Sequence, residues 1–542
     1  MKKLKLASIS LGCLLAASSV GLVACGGVSD NETKDFYEIK IGCQTDQSEQ
    51  QVVQAVINEY QKRNPNTKIT IVPFTDTDFE VVMKGYAADL SFAPHIIWTA
   101  DYCHAGWNKY FIDLRPFYEA SEETDYSLYY EAMLDTASLN GKFKPTKNYK
   151  GEFRKDDLDT NSDGKEHYRE HSEFGLYYAP RDYNKPAVIC NTYLFEELDK
   201  QYAAYYEEQE GTAFTGTSTM ARLNDIVAGN DWDEITDLFA FAKMIAERVT
   251  YVMDYALDVT EDDKVKRAWS NKTALDMKMD WEPVYTTILS AMGLDTLINK
   301  ENGALMLNEN KTVFETLHAN LFPDGVTDKQ GKSHLCYASE EDSYFSQGLN
   351  FMRVDSRPIV PSFRKALADK YGEDKCYLQT IRIPTDAIAA GNSGYAIFNH
   401  YQGKTVTLKS TGETKAYEDI CWDFLKFMLS KDGQEIAGAT GNNIPVLKSL
   451  YSKETNGGEE PAWRKVAMLE GMDHSAWVAG EDLVQDWYNL FTAQKRYGFR
   501  SSVQSFFSNL MKDNYGMGSL EKLTQSTVDM YNNRKPGDAL RK

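Results

Sequence analysis

Three short stretches of the chain carry residue types at spacings that could do chemistry. Asp159-Thr160-Asn161-Ser162-Asp163-Gly164, followed by Glu170, fits the calcium-loop pattern D-x-[DN]-x-[DN]-G-x5-E. Oxygens of Asp159, Asn161, Asp163 and Glu170, with the backbone carbonyl of Lys165, would surround Ca2+, and Gly164 permits the sharp turn. Glu166 stands where such a loop usually has an apolar residue, and no pair of helical patterns flanks it. A solvated acidic loop has the same composition, so the expectation is no required cofactor, with structural Ca2+ as the candidate ion. His167-Tyr168-Arg169-Glu170-His171 also fits H-x-x-E-H, an inverted zinc-peptidase signature. It shares Glu170 with the calcium loop, so the two readings exclude each other. It also lies in a polar stretch where a peptidase needs a helix bundle and a third ligand. Coincidence is the better reading, and a zinc peptidase is the distant alternative. Gly331-Lys332-Ser333 resembles the end of a phosphate loop, but Gly325 is one residue too far away and Pro323-Asp324-Gly325 reads as turns. There is no G-x-S-x-G, and no enzymatic activity is expected.

The elements around these stretches alternate between strand and helix patterns. Tyr37 to Cys43 alternates as a strand, and Val52, Val53, Val56, Ile57 and Tyr60 form one helical face. Asn64-Pro65-Asn66 ends that helix, and Lys68 to Phe74 alternates again. This strand–helix–strand opening is the unit of an α/β sheet. Phe79 to Leu90 reads as a helix and His95-Ile96-Ile97-Trp98 as a buried strand. Residues 121–172 are charged and polar and read as an insert or long loop, with a helical turn near 126–133. Gly175 to Ala179 and Ala187 to Cys190 read as extended, joined by Pro180 to Pro186 as a rigid crossover. Helical patterns run from Asp231 to about Arg248, Trp281 to Met292, Lys311 to Leu321 and Ala416 to Ser430, with a strand at Tyr377 to Ile383. The chain beyond Trp463 reads as mostly helical.

Composition narrows the partners. The 542 residues predict two or more globular lobes. Hydrophobic residues at 42% are enough for real cores. A net charge of −21 argues against nucleic acid, which needs clustered Lys and Arg. Lys2, Lys3 and Lys5 precede a short apolar run, Leu6 to Val23, as in a bacterial secretory signal. Leu22-Val23-Ala24-Cys25 resembles the lipobox of bacterial lipoproteins, in which the cysteine is acylated and becomes the new N-terminus. Cleavage there takes the charge from −21 to −24, since the leader carries three lysines and no acid. Firm anchoring needs more than one acyl chain, as such a cysteine supplies. Six further cysteines, at 43, 103, 190, 336, 376 and 421, are far apart and form no C-x-x-C. They read as buried free thiols rather than a zinc site.

Taken in order, several stretches resemble the extracellular solute-binding proteins of ABC importers, in the carbohydrate-type, maltose-binding-protein-like group. Val52–Val72 (VVQAVINEYQKRNPNTKITIV) is similar to that group's opening helix, turn and second strand. Ala93–Leu114 (APHIIWTADYCHAGWNKYFIDL) is similar to its next strand and loop, although His95 stands where an acid is usual. Leu176–Glu197 resembles its first interlobe crossover, and Asp231–Lys243 and Tyr344–Arg353 resemble later segments. GNSGYAIF at Gly391–Phe398, WDFLKFMLSKDG at Trp422–Gly433 and TGNNIPVL at Thr440–Leu447 complete the order over roughly 36–450.

The resemblance implies a two-lobed α/β fold of the type II periplasmic-binding-protein kind, with ligand in the cleft between lobes. The implied division is a signal at 1–24, a lipidated tether at 25–35 and a first lobe at 36–183 carrying the 121–172 insert. A second lobe follows at 184–387, the first lobe resumes at 388–450, and C-terminal helices at 451–542 belong mainly to the second lobe. The implied function is a monomeric, lipid-anchored receptor on the extracytoplasmic face of a bacterial membrane. It would deliver a sugar or oligosaccharide to ABC permease subunits, with a peptide or organic ion on the same fold as the alternative cargo. Sugars present hydroxyls around apolar ring faces, so aromatic and polar side chains at strand ends are the candidates. These are Gln44 and Asp46; Trp98, Asp101 and Tyr102; Asp182, Tyr183 and Asn184; Trp281, Arg353 and Asp355; and Asn392, Ser393 and Tyr395. Each has a plainer reading. Trp98 could be core, Asp46 a helix cap, Asn184 a turn former, and Arg353 a partner for Asp355.

Overall fold

The computed structural model describes residues 31–45, 47–75, 79–100, 106–138, 143–146, 158–160, 166–168, 174–259, 263–279, 281–294, 297, 299, 304–336, 343–373, 378–440, 444–465, 475–477, 483–484, 506–507, 509–510, 522 and 524–529. Seventeen strands occur among them. They are β1 (Asn31–Lys34), β2 (Tyr37–Gln44), β3 (Thr67–Phe74), β4 (Ile96–Ala100), β5 (Leu158–Thr160), β6 (Glu166–Tyr168), β7 (Ala179–Asn184), β8 (Pro186–Asn191) and β9 (Thr273–Met277). The rest are β10 (Asn350–Ser356), β11 (Leu378–Ile381), β12 (Ile388–Ala389), β13 (Gly391–Ile397), β14 (Thr405–Leu408), β15 (Thr414–Ala416), β16 (Ile444–Pro445) and β17 (Leu483–Val484).

Two sheets organise two lobes. The first has six strands in the order β16-β7-β13-β4-β2-β3, and the second has four in the order β11-β8-β10-β9. β2 runs parallel to both β3 and β4, as the strand–helix–strand opening requires, with the helix Gln47–Arg63 as the crossover. β13 returns antiparallel between β4 and β7. Alternation in β2 buries Tyr37, Ile39, Ile41 and Cys43 while Glu38 and Lys40 face out. β4 and β8 are buried along their whole length, which accounts for their unbroken apolar runs.

The chain passes from the first sheet to the second between β7 and β8, through Lys185 alone. The expected crossover of Pro180 to Pro186 is therefore much shorter: Pro180 to Asn184 are strand, because β7 finds partners in both β13 and β16. The register of β7 on β13 shifts at Ser393/Gly394. A Cβ on Gly394 would lie 2.0 Å from the Ala179 carbonyl oxygen, so only glycine fits this close approach.

There are two apolar cores: the second packs on one face of the four-stranded sheet, while the first covers the six-stranded sheet and extends onto the second sheet through Ala187 and Ile189 of β8, with Phe345, Phe363 and Leu367. Residues near the start of the expected insert belong to the first: Tyr129, Met133, Leu134 and Ala137 are buried there. Their apolar spacing on short helical turns outweighs the acidic composition around them. The segment beyond 450 feeds both cores, with Trp463 and Trp477 in the first and Phe506, Phe507, Leu510 and Val528 in the second. No helix among the described residues is long and apolar enough to cross a membrane.

Candidate functional site

The strand ends nearest the crossing are where the two lobes meet. β2 ends at Gln44, β4 at Ala100 and β7 at Asn184 on one side, and β9 ends at Met277 and β10 at Ser356 on the other. Of the expected contact residues, Gln44, Asn184, Trp281 and Ser393 keep partial exposure. Asn184 Oδ1 accepts no hydrogen bond from the described residues. Trp281 stands at the N-cap of the helix Glu282–Ala291 and packs partly against the second core. Asp46, Asp101 and Tyr102 lie outside the described residues.

The structure turns the other candidates inward. Trp98 is 4% exposed, with its ring 6.3 Å from that of Phe74 and 6.2 Å from that of Phe79. Tyr183 is buried, and its hydroxyl donates to the Trp477 carbonyl at 3.4 Å. Asn392 accepts from the Tyr178 hydroxyl and donates to the Met133 carbonyl at 3.1 Å and to Thr136.

Asp182, Ser393 and Tyr395 do come together, around a residue the sequence reading passed over. Arg181 donates from Nη1 and Nη2 to the two oxygens of Glu49, at 2.6 and 2.8 Å, and from Nε to Asp182 at 2.7 Å. Ser393 Oγ donates to Asp182 Oδ1 at 3.0 Å, and the Tyr395 hydroxyl donates to Glu49. Burial opposes the charge of Arg181, but Asp182 and Glu49 outweigh it and hold the guanidinium well above the usual arginine range. Burial, with Glu49 beside it, pushes the Tyr395 phenol up. The void against this group, lined by Val52, Arg181, Asp182, Gln434 and Pro445, measures about 10 Å³, room for one water and no solute. The signal that could have found Arg181 is its place beside Asp182 in a run of buried strand residues.

Arg353 and Asp355 form a matching group in the second lobe. Arg353 Nε donates to Asp355 Oδ2 at 2.8 Å, and Nη1 donates to Asp276 on the neighbouring strand β9. All three residues are at most 1% exposed, so their polar atoms serve the protein interior in this conformation.

The remaining chemistry resolves locally. His95 accepts the Lys40 N–H on Nδ1 at 2.9 Å and lies against the Tyr401 and Tyr417 rings, with centroids at 4.1 and 4.9 Å. Burial, aided by Lys34, Lys40 and His400, lowers its pKa to about 3, so the ring is neutral. Gly331-Lys332-Ser333 belongs to a turn in which Asp328 Oδ1 accepts the N–H of Gln330 at 2.9 Å and of Lys332 at 3.0 Å. A carboxylate thus occupies those amides. Cys43, Cys190, Cys336 and Cys421 are buried free thiols, while Cys103 and Cys376 lie outside the described residues.

Asp159 and His167 pair across the antiparallel strands β5 and β6. Asn161, Asp163, Lys165, Glu170 and His171 lie outside the described residues. An i,i+4 pair of zinc ligands needs a helix to bring it together, and His167 is on a strand. Among the described residues, no three His, Cys, Asp or Glu side chains are grouped to hold a metal ion.

No family model and no curated relative match the chain. Solved structures do. A sugar transporter of Rhizobium etli in an open conformation matches with a TM-score of 0.55 at 14% identity, covering 92% of this chain and 100% of that one. The sugar-binding protein MalE of Xanthomonas citri gives 0.54 at 11% identity, with 91% and 97% covered. The GacH receptor of Streptomyces glaucescens, known unliganded and with acarbose, gives 0.53 at 13%, with 92% and 99% covered. Two sheets, a crossing at Lys185 and a return through β13 account for that likeness: the chain has the two-lobed α/β fold of the type II periplasmic binding proteins.

Proposed function

We propose that the protein is a lipid-anchored, extracytoplasmic solute-binding receptor that captures a sugar or oligosaccharide and hands it to the permease subunits of an ABC importer. The observation that carries this reading is coverage: sugar-binding structures align over nearly their whole length, in both lobes. The lobes we assign are residues 36–183 with 388–450, and 184–387, with Cys25 as the acylated anchor residue. Gln44, Asp46, Asp101, Tyr102, Asn184, Trp281 and Ser393 are the proposed cleft contacts. Ligand bound by both lobes favours the closed state, because only that state makes both sets of contacts. The 159–170 loop is the proposed calcium site, and the receptor acts as a monomer without covalent chemistry.

A second cargo class has its own support. UgpB of Mycobacterium tuberculosis, solved with glycerophosphocholine, matches with a TM-score of 0.51 at 11% identity, covering 92% of this chain and 99% of that one. Thermal unfolding of the mature chain against mono- and oligosaccharides and glycerophosphodiesters separates the two. A ligand bound only by the native state raises the midpoint by mass action. A shift with a glycan class supports the sugar reading. A shift with phosphodiesters alone, or with no sugar at all, removes it. The same scan with and without calcium tests the loop: a titration without heat at millimolar Ca2+ overturns that site.

A further inference from the structure

We propose that the end of the first lobe where β1, β2 and β4 begin rests on the bilayer, with Phe36 and Phe92 at the lipid interface. This rests on acylation of Cys25. Residues 31–34 are not tether: they form β1, paired in parallel with β14 from Asn31↔Thr405 to Lys34↔Leu408. Strand β1 therefore starts six residue steps after Cys25, a span of at most about 21 Å even for fully extended chain. A lobe of this size is roughly 45 Å across. A tether so short selects which end of the lobe meets the membrane.

The chemistry of that end fits an interface between water and lipid. Phe92, just before β4, is 76% exposed, the most exposed large apolar side chain among the described residues. Phe36, in the turn between β1 and β2, is 43% exposed. Nothing in the folded lobe requires either ring in water, and both lie at the strand-start end to which the tether leads. A groove of about 420 Å³ on the same end is lined by Lys34, Lys40 and Lys68 together with Glu32 and Glu38. Lys34 pairs with Glu32 at 2.6 Å and donates to the Tyr417 hydroxyl at 3.1 Å, while Lys40 and Lys68 can lay their stems along apolar surface and place ammonium groups among lipid phosphates. For a chain with a net charge of −21, an end on which lysines outnumber acids around such a groove is a favourable approach to an anionic bilayer. Two exposed phenylalanines would hold a free protein only weakly, but a lipid anchor makes the contact intramolecular and raises the local concentration of membrane. The strand ends that lead to the second lobe then point away from the bilayer.

The test is photo-crosslinking of the full chain, made in a bacterium that acylates lipoproteins and reconstituted into phosphatidylglycerol–phosphatidylethanolamine vesicles. p-Benzoylphenylalanine replaces Phe36, Phe92 or, as the control, Val227, which is 46% exposed on the helix Thr219–Val227 of the second lobe. Mass spectrometry of the same samples reads lipid adducts and the acyl state of the Cys25 peptide. The expected result is an acylated Cys25 with adducts at 36 and 92 several-fold above those at 227. An acylated Cys25 with equal yields at all three positions overturns the membrane-facing end and leaves the anchor standing. An unacylated Cys25 peptide overturns the anchor, and this proposal with it.

Discussion

Arg181 in the first lobe and Arg353 in the second each stand between two carboxylates, and they differ in where those carboxylates come from. Arg353 takes Asp355 from its own strand and Asp276 from the adjacent β9, so both of its carboxylates among the described residues come from one sheet. Arg181 takes Asp182 from its own strand but Glu49 from the first turn of the helix Gln47–Arg63, and Tyr395 of β13 binds the same Glu49. The first group ties helix to sheet four residues before the interlobe crossing at Lys185, whereas the second reinforces strand pairing. A buried ion pair adds little net stability over apolar packing, yet removing one partner is costly because the other charge stays buried. The lesson is positional: the first group sets where a helix sits at the crossing, and the second sets how two strands register.

The largest expected effect comes from breaking either group at its cation. Arg181→Met and Arg353→Met should each lose about 3–5 kcal/mol, since each leaves two buried carboxylates without their guanidinium. Urea unfolding measures this. The comparison predicts that Arg181→Met also weakens hydrogen-exchange protection in Gln47–Arg63, while Arg353→Met spares that helix. Equal protection in both variants would break the distinction.

Next comes the close approach of β7 and β13 beside the first group. Gly394→Ala places a methyl against the Ala179 carbonyl and should cost up to about 3 kcal/mol. A neutral result in the same unfolding assay would mean that the bulge relaxes freely.

Acid should act on the first lobe through His95. Its folded pKa of about 3 lies below the roughly 6.5 of the unfolded chain. Between those values the unfolded state binds the extra proton. The stability His95 contributes is therefore complete above pH 6.5 and is lost as pH falls through this window. From pH 7 to pH 5 the loss is about 2 kcal/mol. The variant His95→Gln should flatten that slope, and an unchanged slope would assign the acid sensitivity to other groups. Lys272 in the second lobe works at the opposite end of the scale. It is pushed down to about 8 by burial, with Lys370 nearby, and it donates to the Gly348 carbonyl at 3.2 Å. With an unfolded pKa near 10.4, its unfolded form holds the extra proton across that interval. The second lobe should therefore gain stability as pH rises from 8 to 10, and Lys272→Met should remove the gain.

An effect of similar size is expected from the deletion of one hydroxyl. Tyr395→Phe removes a single hydrogen bond to Glu49 and should cost about 1.5–3 kcal/mol, because the acceptor is a carboxylate. A smaller loss would leave the paired guanidinium as sufficient to fix Glu49.

Much of the fold was legible because periodicity is local. Ile39, Ile41 and Cys43 announced a half-buried strand by alternation, and Val53, Val56 and Tyr60 a helix face by spacing. The plainer readings of Trp98 as core and of Arg353 as a partner for Asp355 were also within reach, since both rest on near neighbours. Less legible was Tyr129 to Ala137, where acidic neighbours masked residues that enter the first core. Glu49 was not legible at all, because its partner Arg181 is 132 residues away.

The sequence by itself determined the alternation of strands and helices, the charge of the chain and the order of segments that resembles sugar-binding receptors. Those properties follow from residue types over short windows, where side-chain period and turn chemistry decide the outcome. Tertiary structure alone decided that the crossing shrinks to Lys185, that Arg181 and Arg353 spend their charge inside the lobes, and that Asn31–Lys34 join a sheet beside Thr405–Leu408. Each of these depends on what a distant strand or helix brings to the same place, since a buried polar group must find its partner wherever the fold puts one.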